Sequence, residues 1–118
     1  MATGILFIGW GQALTGREQK AYQVFSEGIE TWTRWQQQGK IDSFEPFTLE
    51  PHGGELTGFC LLRGDPQKLS QLRVDPEFVR LNGRAGLVVE HLGVVAGYTG
   101  EDLQRQFAQW SQDAAELA

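Results

Sequence analysis

Two adjacent ionisable residues, Glu90 and His91, interrupt an otherwise apolar stretch that runs from Ala85 to Tyr98. An imidazole with an ordinary pKa of about 6.5 exchanges protons near neutral pH, which makes His91 a candidate proton shuttle or axial metal ligand. Its plain alternative is a hydrogen-bonded histidine at a partly buried position. A carboxylate in apolar surroundings is costly unless paired or protonated, so Glu90 is either a general base or half of an ion pair with Arg73, Arg80 or Arg84. Read as neighbours on a strand, the two point to opposite faces and cannot work as a pair. Trp10, Trp32, Phe59 and Tyr98 form a second candidate set, because indole and phenol groups line pockets for apolar or aromatic ligands. The competing reading of each is core packing.

Other chemistry finds less support. His52 stands in the turn Pro51-His52-Gly53-Gly54 and reads as a solvated loop residue. No H-x-x-H, C-x-x-C or H-E-x-x-H spacing occurs, so the residues imply no metal site and no cofactor. Gly9, Gly11, Gly93 and Gly97 lack the G-x-G-x-x-G context of a phosphate loop, and Ser26, Ser43 and Ser70 lack that of a nucleophile elbow. The single cysteine, Cys60, excludes an internal disulfide and sits in an apolar run as a small hydrophobe, which sets a cytoplasmic expectation.

These residues need elements to hold them. Gly4 to Gly11 is apolar at both parities, as in a central strand covered on both faces, and its apolar stretch is too short for a membrane span or signal peptide. Thr15 and Glu18 have the spacing of a capping box, and Ala21, Val24, Phe25, Gly28, Trp32 and Trp35 then recur every three to four residues. This predicts a helix over 16–38, stopped by Gly39. Pro46 makes 42–50 an edge strand, and Glu55 to Arg63 reads as its central hairpin partner. Asp65-Pro66 and Asp75-Pro76 each place an N-cap acid before a first-turn proline, so two short helices follow, with Leu69, Leu72, Phe78, Val79 and Leu81 as their core face. A fourth strand over 85–98 would reach roughly 40 Å at about 3.3 Å per residue. Thr99 to Asp102 opens a last helix with Leu103, Phe107, Trp110 and Ala114 on one stripe.

The order β-α-β-β-α-β predicts an α+β, ferredoxin-like fold with a four-stranded antiparallel sheet of order 4-1-3-2 and an extra C-terminal helix. The 118 residues, 41 % apolar and 21 % charged, fit a single domain over 1–118, and no linker or repeat divides them. A net charge of −5, from acids scattered along the chain without a basic cluster, argues against nucleic acid as a partner. The helices cover one sheet face only. About eight apolar side chains on the other face, at roughly 1.5 kcal/mol each, leave about 12 kcal/mol of burial unclaimed, which predicts a homodimer with sheets stacked face to face. The long fourth strand would reach the partner's second-strand edge.

With those elements in place, Gly4 to Trp10, the hairpin Phe44 to Leu62, the step Asp75-Pro76-Glu77-Phe78 and the strand Val88 to Tyr98 resemble the dimeric α/β-barrel proteins of ferredoxin-like fold. The chain looks most like their uncharacterised bacterial members. The resemblance is one of pattern over residues 4–100, and it implies a dimeric barrel more than any activity, since relatives include cofactor-independent monooxygenases, isomerases, haem-degrading enzymes and stress-response proteins. The asparagine, tryptophan and histidine set of the haem-degrading relatives has no match, because Asn82 is the only asparagine and falls at an expected helix end. The paired histidine and aspartate of the YCII-like branch have none either, for Gly11-Gln12-Ala13-Leu14 follows the first strand. Three functions remain: a homodimeric module binding a small apolar or aromatic ligand, a cofactor-independent oxygenase or isomerase using Glu90 or His91, or an interaction protein without a pocket. The enzyme reading requires Glu90 or His91 to project into a cavity.

Overall fold

The computed structural model describes residues 4–118. The elements run β1 (Gly4–Trp10), α1 (Glu18–Gln37), β2 (Ser43–Thr48), β3 (Gly58–Gly64), α2 (Pro66–Leu72), α3 (Pro76–Gly86), β4 (Gly93–Tyr98) and α4 (Gly100–Leu117). The four strands form one antiparallel sheet in the order β2-β3-β1-β4, the expected 4-1-3-2 read from the other edge. Proline-bearing β2 is an edge strand, where its missing N–H leaves no ladder bond unmade.

Register divides the sheet into two faces. Leu6 sits between Leu62 and Ala96, and Ile8 between Cys60 and Val94. Of these, Leu6, Ile8, Cys60 and Leu62 close the core with Val24, Trp32, Trp35, Leu69, Leu72, Phe78 and Leu81, and Val94 packs against it. The alternate residues, Ile5, Phe7, Phe47, Phe59, Leu61 and Val95, line the opposite face. There Phe59 stacks between Phe7 and Phe47, with centroids 5.1 and 4.6 Å away, and Val95 is 57 % exposed. The stripe of α4 stays uncovered, since the helix has no buried residue and its Phe107 and Trp110, which meet edge to face, are about half exposed.

The helix starts follow local chemistry. Asp65 accepts from the Lys68 N–H at 3.1 Å and Asp75 from the Glu77 N–H at 2.8 Å, each ahead of a proline at the first helical position. The Thr15 capping box does not form. α1 begins at Glu18 behind Arg17, and the Glu18 carboxylate accepts instead from the Gly16 N–H. Val79 is exposed and leaves the core face.

The largest correction concerns the fourth strand. α3 continues to Gly86, and its last turn is extended by Leu87 N–H to Arg84 and by Val88 and Val89 N–H to Ala85. β4 therefore starts only at Gly93, and the overlong strand does not exist. An apolar run is equally compatible with a strand and with a buried turn; Val88, 5 % exposed, is apolar because that turn packs it into the core.

Gly58 is required by a close approach. A Cβ there would stand 2.7 Å from the Phe47 carbonyl oxygen and 2.9 Å from the Trp10 ring. Gly58→Ala is expected to destabilise the protein by at least about 1 kcal/mol, read as a lower urea midpoint, because a backbone oxygen cannot move aside. An unchanged midpoint would show that the Trp10 seat is loose.

Candidate functional site

Between α1, α3 and the end of the sheet nearest Trp10 lies a cavity of about 350 Å³. Trp10 from β1, Val24, Phe25 and Trp32 from α1, and Leu81 from α3 supply its apolar walls, and Val88 closes it from the turn after α3. Trp10 meets Phe25 edge to face at 5.7 Å, and Trp32 meets Phe44 at 6.0 Å. Glu18 is the one charged residue among the lining side chains. Thr48, Thr57 and Asn82 are the uncharged polar ones besides Tyr22, whose ring is 75 % exposed.

Two bidentate clamps tie α1 to α3. Arg84 donates to both Glu27 oxygens at 2.9 and 2.8 Å, and Arg34 to both Glu77 oxygens at 2.9 and 2.7 Å. Hydrogen bonding from Arg84 holds the Glu27 carboxyl below its usual range, and Arg34, helped by the Trp35 indole, does the same for Glu77. The Trp35 N–H reaches Glu77 at 3.0 Å. The Trp32 N–H, one turn earlier, is buried and has no acceptor.

Glu90 and His91 are not in this cavity. Both lie in the loop between α3 and β4 and are exposed. Glu90 acts through its backbone: its carbonyl accepts from the Gly11 N–H at 2.7 Å and its N–H donates to Gln12 at 2.9 Å. None of the three arginines offered as its partner is bonded to it, as Arg84 is on Glu27 and Arg73 donates to the Val94 carbonyl. His91 has a left-handed backbone, φ 54°, and its Nε2 lies 3.8 Å from a Glu55 oxygen. The projection that acid–base catalysis demanded of these residues does not occur.

The aromatic set divides. Trp10 and Trp32 share the cavity, while Phe59 is on the far face of the sheet. Tyr98, 55 % exposed, lines a separate depression beside Gly4, Pro66 and Arg73. Sequence reading passed over Val24 and Leu81 as core, and placed Asn82 at a helix end although it stands one turn inside α3, against the cavity. Gly28, breaking the α1 stripe beside Trp32, was the available signal. A Cβ there would lie 3.0 Å from the Trp32 ring.

Remaining polar groups have structural partners. His52 Nδ1 accepts from the Gly54 N–H at 3.2 Å, which leaves Nε2 to donate to the Leu56 carbonyl at 2.7 Å and latch the hairpin loop. Burial pushes the Cys60 thiol up to about 12, so it stays a neutral core group. Among the described residues no cluster of three or more His, Cys, Asp or Glu is placed to hold a metal ion, and no helix is long and apolar enough to cross a membrane.

No family model and no protein of curated function matches this sequence. Solved structures do match in shape. A DABB family protein of ferredoxin-like fold from Mesorhizobium loti superposes with a TM-score of 0.64 at 10 % identity, over 83 % of this chain and 98 % of its own. A dimeric ferredoxin-like protein of unknown function from Jannaschia sp. gives 0.62 at 10 % identity over the same shares. SnoaB, a cofactor-independent oxygenase from Streptomyces nogalater, gives 0.56 at 10 % identity over 84 % and 95 %. The sheet order, the helices on one face and these likenesses make the chain an α+β protein of ferredoxin-like fold.

Proposed function

We propose that this protein is a homodimeric binding module that holds a small apolar or aromatic ligand between α1, α3 and the sheet. The cavity carries the reading. Its volume falls in the range of small-molecule sites, and its walls are apolar with few polar groups. With Glu90 and His91 in an outer loop and one carboxylate, Glu18, in the lining, binding is better supported than proton transfer. The dimer is supported by the helix-free aromatic face and by dimeric neighbours of the same fold. The expected reach of a long fourth strand to the partner's second-strand edge is removed by the short β4.

Thermal unfolding with naphthalene-sized probes tests the reading. A probe held at about a hundred times its Kd is expected to raise Tm by roughly 5 °C or more. Ala85→Phe, which fills the cavity from α3, is expected to abolish the rise. A panel of such probes that leaves Tm unchanged would leave the cavity without a ligand role.

A further inference from the structure

We propose that the ligand is a neutral apolar compound bearing a carbonyl oxygen, and that Trp32 Nε1 donates to that oxygen. The inference rests on the ligand-binding reading above and names its substrate class. Trp32 is 4 % exposed, lines the cavity, and carries the one buried side-chain donor without a partner among the described residues. Buried indole N–H groups ordinarily find an acceptor, as Trp35 does in Glu77 on the same helix. The nearest aromatic partner, Phe44, is tilted at 49° and offers a π face, a much weaker acceptor than oxygen. The Nε1 atom itself is buried, so engagement needs the indole to turn in its slot. The ring lies directly against Gly28, where a Cβ would stand 3.0 Å from it.

Charge decides between ligand classes. The lining contains no Lys, Arg or His, and its one charged group, Glu18, is negative. A carboxylate ligand would enter apolar walls without a counter-charge, which is strongly unfavourable, whereas a ketone, aldehyde or ester oxygen requires only one donor. Hydrocarbons would bind and leave the N–H orphaned.

Titration calorimetry on the full chain with 2-acetylnaphthalene, its isostere 2-isopropenylnaphthalene and 2-naphthoate separates these cases. The ketone is expected to bind about three- to tenfold more tightly than the hydrocarbon, with the naphthoate weakest. Trp32→Phe should erase the preference for the ketone and spare hydrocarbon binding. In the unsubstituted protein, the Trp32 indole N–H resonance should move downfield with the ketone alone, a readout that holds even where the variant does not fold. Equal affinities, a preference for the anion, or an unmoved Trp32 resonance overturns the carbonyl assignment while the cavity reading stands. If none of the three binds, the cavity reading falls and this assignment with it.

Discussion

If the proposed dimer forms, the parent chain is expected to sediment as a pair of 13.2 kDa subunits and Phe59→Glu as a folded monomer. Phe59 is the centre of the aromatic cluster on the helix-free face, stacked on Phe7 and Phe47. Ile5, Leu61 and Val95 flank it. A second sheet laid on this face would offset the about 4–15 kcal/mol that association costs in lost freedom, and a charge at its centre removes that gain. Two-fold symmetry places two carboxylates in the same apolar contact, and Kd should rise at least about a hundredfold. The helix-facing core is on the other side of the sheet, so far-ultraviolet circular dichroism should not change. Sedimentation at micromolar concentration decides. A parent chain already monomeric, or a variant still dimeric, rules out stacking through this face.

Glu77→Ala is expected to destabilise the fold by about 1–3 kcal/mol, chiefly through Trp35. Trp35 is fully buried, and without Glu77 its N–H would be a second orphan beside that of Trp32. The Arg34 arm matters less, because its pair with Glu77 is about two-fifths exposed and therefore screened. The same carboxylate, with Glu27, is expected to make stability fall in acid. Both have folded pKa values below the ordinary glutamate value of about 4.3, so their contribution is fully present above that pH and is lost as pH falls through the lower folded values. Urea midpoints between pH 6 and pH 3 should fall less steeply in Glu77→Ala than in the parent. Parallel pH curves would show that the clamp carries no linkage.

The same clamps join the two helices that flank the cavity. α1 and α3 are tied by Arg84–Glu27 and Arg34–Glu77 rather than by close apolar packing along their whole length. Gly28 and Ala85, which offer little bulk, both line the space between these helices. Nothing in residue spacing shows this, since each arm joins positions more than forty residues apart.

What the sequence determined by itself was local and periodic: the start of α2 and α3 behind Asp65 and Asp75, the stop after α1 at Gly39, the edge place of β2, and the stripe of α4. Each is set by chemistry within a few residues, a cap, a proline or a repeating face. Tertiary structure decided the rest. It turned Val88 into the core and cut the fourth strand to six residues, put Glu90 and His91 in an outer loop, and sent Phe59 and Trp32 to opposite sides of the sheet. Those outcomes depend on which apolar surfaces meet, a property of strand register and helix packing that alternation along one segment does not contain.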